Sequence, residues 1–277
     1  METNMPQNNS DATAGSAVKP PVSKKRRRRL CVQARASKQT RVSCLVTGFG
    51  PFGGGAVNPT ELITRALPPL LQSSCHDAEV QAWRIELHRQ VLPTAARAGW
   101  DKLKASIDAA IAASTEPVLI VMTGLAAGTD RLQIERFALN VRDYSVPDNA
   151  GETAQDQVID LSQPDLIRTL APLPELRQAI LRQGFPCRIS NHAGTFICNE
   201  LYFKAMAYVR HNPRVAGIVF VHVPMLEQFA ATCELYGSMA VSRKALNVRG
   251  SAERQVALLR QAMVALIFAL SELTVRA

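Results

Sequence analysis

Paired cysteines are missing from this chain of 277 residues. Its six cysteines (Cys31, Cys44, Cys75, Cys187, Cys198, Cys233) are scattered, with no CxxC spacing. That speaks against a disulfide framework or a zinc site and for a reducing, cytoplasmic compartment. Long apolar runs are missing as well. A membrane span takes about 20 apolar residues, and the longest stretches, around Val118–Met122 and Met263–Leu270, fall short of it. A secretory leader fails on the same ground. The basic run Lys24–Arg29 is followed by Leu30, Cys31, Val32, Gln33, Ala34 and Arg35, not by an apolar segment of about 7–15 residues. No internal repeat is present.

Net charge is missing from most of the chain. The total is +9, from 32 Lys+Arg and 23 Asp+Glu. Residues 1–41 hold ten basic and two acidic side chains and so carry +8, which leaves residues 42–277 nearly neutral. A nucleic-acid binder shows a basic surface across its folded part, so the whole chain does not read as one. Residues 1–40 are rich in Asn, Ser, Gln, Ala, Pro and charge without apolar period, the composition of a disordered basic tail. Three readings of that tail stand: a solvated extension or over-long start, adhesion to anionic polymers or membranes, and a nuclear-import address in a eukaryotic source. With 47% hydrophobic residues the remainder can bury a sizeable core. The domain boundaries read as 1–40 tail and 41–277 single α/β domain.

Periodicity then supplies the elements. Val42–Thr47 is an apolar run ending in Gly48, as in a buried strand feeding a loop. Asn58 is placed as an N-cap and Pro59 at the first helical position, with Leu62, Ile63, Ala66 and Leu70 marking the helix face. Strands are predicted at Val80–Leu87, Val118–Met122, Ile134–Val141, Cys187–Ser190 and Val215–Val223. Helices are predicted at Thr94–Ala113, Glu175–Arg182 and Asn199–Arg210, and through Leu259, Met263, Leu266, Leu270 and Leu273. Pro147–Gly151 is turn chemistry. Alternating strands and helices predict a three-layer α/β/α sandwich around a largely parallel sheet.

In such a sheet, ligands sit beyond the carboxyl ends of the strands, and three unusual groups fall there. Gly48, Gly50 and Gly53 fit GxGxxG after a strand, but Pro51 and two phenylalanines occupy the loop where N–H groups would cradle phosphate. Phe49 and Phe52 between small residues suit the walls of an apolar pocket, or else plain core. Cys198 falls near a helix N-terminus, where free N–H groups and the helix dipole favour a thiolate and can hold an oxyanion. The bland alternative is a buried core cysteine. His222, in a β-branched strand, is a base or a core histidine, and His192 is a competing base or a turn residue. Glu135 is an ionisable group in an apolar strand, costly to bury unpaired, or else a surface residue bridged to Arg136. Together they supply a nucleophile, a base and an orienting carboxylate, the roles of covalent acyl transfer.

These motifs resemble, over residues 42–228, the type I pyroglutamyl peptidases, also called pyrrolidone-carboxylate peptidases. Val46-Thr47-Gly48-Phe49-Gly50-Pro51-Phe52-Gly53-Gly54 with Asn58-Pro59 is similar to that family's opening loop. Ile134-Glu135-Arg136, Asn140-Val141 and Pro147-Asp148-Asn149 resemble its glutamate motif. Ser190–Asn199 resembles its cysteine motif, and Val221-His222-Val223-Pro224 its histidine motif. The resemblance implies a mixed, mostly parallel sheet in the sandwich. It implies Cys198 as nucleophile, His222 as base and then acid, and Glu135 as the residue that orients the imidazole. It also implies removal of N-terminal 5-oxoproline from peptides without metal or cofactor, and a homo-oligomer. The ring of the substrate is a neutral lactam, for which Phe49, Phe52, Phe196 and Ile197 are the expected plates.

The chain departs from that pattern. Leu125, at a substrate-facing position, stands where the family usually has Gln, and Thr129 and Ser145 stand where Arg is usual. The segment after Pro224 lacks a second Pro, and Phe229–Arg249 is unlike the short link expected there. A related thiol amidase with another small acyl substrate is therefore the alternative, followed by a non-catalytic protein that acts through its tail.

Overall fold

Along the first strand, β1 (Thr40–Phe49), Val42, Cys44 and Val46 are buried on one face and Leu45 and Phe49 on the other. That two-sided burial runs through the central sheet. The computed structural model describes residues 39–73, 82–236 and 251–275, all within one compact unit. The tail expected over residues 1–40 lies outside the described residues, save for its last two.

The chain continues with α1 (Pro59–Ala66), β2 (Leu70–Gln72), β3 (Trp83–Leu92), α2 (Ala96–Ala113), β4 (Val118–Leu125), β5 (Leu132–Leu139), β6 (Val141–Tyr144) and β7 (Ala154–Val158). Then come β8 (Leu166–Arg168), α3 (Leu173–Arg182), β9 (Cys187–His192), α4 (Ile197–Val209), β10 (Val215–Val223), α5 (Leu226–Leu235) and a C-terminal helix, α6 (Ala252–Val275). Eight strands form one sheet in the order β2-β3-β1-β4-β10-β5-β8, with β9 paired to β5. β3, β1, β4 and β10 are parallel, whereas β5 runs antiparallel to β10. The sandwich is thus mixed and mostly parallel at its centre. β6 and β7 form a separate two-stranded ribbon.

Helices cover both faces. Ile63 of α1, Leu176 and Ile180 of α3, Phe229 of α5 and Leu259, Met263, Leu266 and Leu270 of α6 share one apolar cluster with Val121, Val219 and Val221. Leu103 and Ile107 of α2 and Ile197, Leu201 and Tyr202 of α4 share the other with Ile120, Met122 and Phe220. Each fully buried leucine contributes about 1.5–3 kcal/mol by leaving water. By length and composition α6 could cross a membrane, although its sequence shows a marked apolar stretch only around Met263–Leu270. The complete burial of Leu259, Met263, Leu266, Ile267 and Leu270 accounts for that composition as a core helix.

The start of α1 matches its sequence signature. Asn58 Oδ1 accepts from the Thr60 N–H at 3.0 Å, and Pro59 opens the helix. Leu70, expected on that helix face, belongs instead to β2, because Pro68 and Pro69 break the chain after Leu67. The expected strand Ile134–Val141 is two elements, β5 and β6, parted at Asn140. Val80, the expected start of the second strand, lies outside the described residues.

Candidate active site

Gly48 ends the apolar run of β1 at a point of close approach. A Cβ there would collide with the Thr60 carbonyl and meet the Thr64 hydroxyl at 2.6 Å, so the glycine lets α1 lie against the strand. Gly53 and Gly54 take positive φ of 64° and 77° in the turn that follows. The opening loop is thus built of close packing and turn geometry. Its carbonyls are held by side chains: Asn58 Nδ2 donates to Gly50 O at 3.0 Å and Asn149 Nδ2 to Pro51 O at 2.9 Å.

Across the sheet the register brings the chemical groups together. His222 on β10 lies opposite Gly124 of parallel β4 on one side and Gln133 of antiparallel β5 on the other. Glu135, two residues beyond Gln133, is on the same face as Gln133 and is the diagonal neighbour of His222. His222 Nδ1 donates to Glu135 Oε1 at 2.7 Å, with the carboxylate only 1% exposed. Cys198 acts on the same imidazole, since its side chain and that of Glu135 both raise the His222 pKa. Cys198 is the second residue of α4 and partly exposed. Its Sγ sits so near β4 that a Cβ on Gly124 would lie 2.9 Å from it and 2.8 Å from Phe220 Cζ. Glycine at the end of β4 is the space in which the thiol meets the imidazole.

Burial pulls the His222 pKa down, but the influence of Cys198 and Glu135 outweighs it and raises it to about 9. Asn199 fixes the next position: its Oδ1 accepts from Leu139 N–H at 2.8 Å, while its Nδ2 donates to the Leu139 and Val141 carbonyls, both at 2.9 Å. The first turn of α4 is thereby clasped to the strand that carries Glu135.

The expected pocket plates divide. Phe52 and Phe196 are partly exposed and meet at a 49° tilt with centroids 5.0 Å apart, and Leu125 is partly exposed at the end of β4. Phe49 and Ile197 are 2% and 0% exposed and lie in the apolar cluster behind. Tyr144, which the sequence reading passed over, sets its ring edge-on to Phe196 at 4.7 Å. Its signal in the sequence is an aromatic three residues past the expected end of a strand. His192 is exposed, its Nδ1 accepting from Gly194 N–H at 3.2 Å in the turn before α4. Ser145 is exposed, whereas Thr129 is buried and its hydroxyl donates to the Arg131 carbonyl. Asp148 ties the rim by accepting from the Ala96, Ala150 and Glu152 N–H groups. Burial raises its carboxyl pKa, but these bonds prevail and hold it below the ordinary value. Among the described residues no group of three or more His, Cys, Asp or Glu could hold a metal ion.

A family model described as pyroglutamyl peptidase matches residues 42–257. The chain belongs to the pyroglutamyl peptidase family. It is 33% identical over 186 residues to the pyrrolidone-carboxylate peptidase of Vibrio parahaemolyticus, covering 67% of this chain and 80% of that relative. The corresponding protein of Thermococcus onnurineus is 34% identical over 190 residues, 67% of this chain and 85% of its own length. Among solved structures, pyrrolidone carboxyl peptidase from Fervidobacterium islandicum superposes with a TM-score of 0.64 at 26% identity, over 83% of this chain and 99% of that one. Family membership makes the chain a cysteine peptidase, and the thiol, imidazole and carboxylate described above are the groups such a peptidase needs.

Proposed function

We propose that this protein removes N-terminal 5-oxoproline from peptides, with Cys198 as nucleophile, His222 as acid and base, and Glu135 as the residue that orients the imidazole. The single observation carrying this reading is the buried side chain of His222, bonded to Glu135 through Nδ1 and raised in pKa by both Glu135 and Cys198 at the start of α4. The Cys198 thiolate attacks the carbonyl carbon of the oxoproline residue, and the α4 N-terminal N–H groups stabilise the resulting oxyanion. The imidazolium of His222 gives its proton to the departing amine as the C–N bond breaks, leaving a thioester. Water then attacks the thioester, His222 taking one of its protons and returning it to the thiolate, and free oxoproline leaves.

A neutral lactam fits the partly exposed Phe52, Phe196 and Leu125, with Phe49 and Ile197 backing that wall from the core. The reading extends to a cytoplasmic protein in which residues 41–277 form the peptidase domain, residues 1–40 are an appended basic tail that touches anionic polymers, and copies assemble into a homo-oligomer. Supporting the compartment, Cys44, Cys187, Cys198 and Cys233 are all free.

Release of an amine dye from a pyroglutamyl amide by the full-length protein tests the activity. Cys198→Ala, with folding confirmed by circular dichroism, is expected to lower turnover at least about 10³-fold. Absence of turnover by the folded wild-type chain would overturn the peptidase reading. Fast iodoacetamide labelling of Cys198 that pyroglutamyl compounds do not slow would favour the thiol amidase instead.

A further inference from the structure

In the sheet, His222 stands between Gly124 of β4 and Gln133 of β5. The segment 126–131 joins those two outer strands, so it crosses the carboxyl end of β10 just beyond the imidazole. Leu125, partly exposed at the rim, is the residue from which the crossing starts. Hydrogen bonds of its own make the crossing a turn. Ala126 N–H donates to Val223 O at 2.9 Å, and Thr129 N–H donates to Ala126 O at 3.2 Å. Those bonds shape the turn but leave Ala127 and Gly128 exposed at its tip. The rest of its support comes from α5, the helix that follows His222 along the chain.

Two stripes run along α5. Phe229 and Cys233, one turn apart, are buried in the apolar cluster and root the helix. Gln228, Thr232 and Tyr236, also at steps of four, form the adjoining stripe and meet the crossing in order. The Gln228 side-chain amide faces two carbonyls, so its nitrogen is the atom that donates, to Thr129 O at 3.0 Å and Ala127 O at 3.1 Å. The Thr232 hydroxyl lies 3.5 Å from Asp130 Oδ2. Arg131 Nη1 donates to the Tyr236 hydroxyl at 3.2 Å, and its guanidinium lies 5.8 Å from the centre of that ring. Arg131 is itself paired with Asp130 at 2.7 Å. A helix rooted in the core thus grips Thr129, Asp130 and Arg131 in succession. We propose that Gln228, supported by Thr232 and Tyr236, is a positioning residue of the acyl pocket: the stripe fixes the crossing, and the crossing fixes Leu125 as a wall against the lactam ring. This rests on the reading of Leu125 as part of that wall. A wall held in place before binding costs the substrate no ordering of the loop, whereas Cys198, His222 and Glu135 sit on α4 and the strands, so the grip acts on binding and not on the bond-breaking step.

The test is a double-mutant cycle between Gln228 and Leu125 in the full-length enzyme, read with the pyroglutamyl dye amide. Gln228→Ala is expected to raise KM about fivefold and Tyr236→Phe about twofold, each changing kcat less than about twofold. Iodoacetamide is expected to label Cys198 at the wild-type rate in both. In the Leu125→Ala background, Gln228→Ala is expected to raise KM less than about twofold, because the wall it positions is gone. Tyr236→Phe removes only a hydroxyl and so reads the stripe even where Gln228→Ala folds poorly. Unchanged KM in the single variants, or the full effect of Gln228→Ala retained beside Leu125→Ala, overturns the proposal. A fall in kcat and labelling rate at constant KM also overturns it, since the stripe would then act on the thiol and imidazole. Failure of the wild type to turn over the amide would sink the function and not the grip of α5. Amide hydrogen exchange then decides: the Ala126 and Thr129 N–H groups should exchange at least about fivefold faster in Gln228→Ala, and an unchanged rate overturns the grip.

Discussion

The two faces of the sheet are built from different materials. On the side of α1, α3, α5 and α6 the buried contact is mostly aliphatic, with Val121, Val219, Val221, Leu259, Leu266 and Leu270 in one cluster. On the side of α2 and α4 the sheet turns out Phe220, His222 and Glu135, with Phe220 packed on Tyr202 and His222 bonded to Glu135. Buried polar groups cost stability unless paired, and on this second face Glu135 Oε2, Glu200 Oε2 and the Tyr144 hydroxyl are all without partners. One face supplies cohesion, and the other spends part of it on chemistry.

Substitutions on the two faces should therefore separate turnover from stability. The largest effect is expected at Glu135. Glu135→Gln keeps the shape but removes the charge that helps raise His222, and kcat should fall about 10²–10⁴-fold. The high-pH limb of the activity profile, near pH 9 in the wild type, should move toward neutral. Because the folded pKa of His222 lies above the unfolded value of about 6.5, the stability it contributes is complete below that value and is lost as pH rises through about 9. Denaturation of the two proteins across that range should show their difference shrinking with rising pH, and a difference that grows would contradict the assignment.

Leu266→Ala on the opposite face should cost about 2–5 kcal/mol in urea unfolding, with kcat/KM per folded molecule unchanged. A matching loss of kcat would show that the faces are not separable. Gly124→Ala lies between the two cases. The added methyl meets Cys198 Sγ and Phe220 Cζ at under 3 Å, so a fall in kcat of at least about tenfold is expected, larger than any shift in the unfolding midpoint would explain. The smallest effect is expected at Asn58→Ala, about 1 kcal/mol from the lost cap of α1.

Local chemistry made much of this architecture legible in advance. Asn58-Pro59 marks a helix start because its cap is made within three residues, and Val118–Met122 reads as a central strand because every residue is buried. Direction is another matter. The pattern Ile134–Leu139 shows burial but not that β5 runs antiparallel to β10, and that reversal is what puts Glu135 on the diagonal to His222. Phe49 and Ile197 were expected as pocket plates beside Phe52 and Phe196, since residue type cannot tell a wall from the layer behind it. β8, three residues long, and α5, whose Phe229 and Cys233 reach the core from a segment without clear period, left too little pattern to read. Glu200, one residue past the cysteine motif, is given no role by the sequence, because its partner Arg142 is distant along the chain.

The clasp made by Asn199 has a consequence for how such an enzyme can change over generations. It joins α4 to β5 and β6, so thiol and carboxylate stay in mutual register on rigid elements. The aromatic surfaces a substrate would meet, by contrast, hang on the loop around Phe52, the β6–β7 ribbon and the turn before Phe196. Loops accept insertion and exchange far more readily than the strands that bear them. Selectivity in this chain is free to drift while the reaction stays fixed, and replacements such as Leu125 and Ser145 at the rim are the kind of change that separation permits.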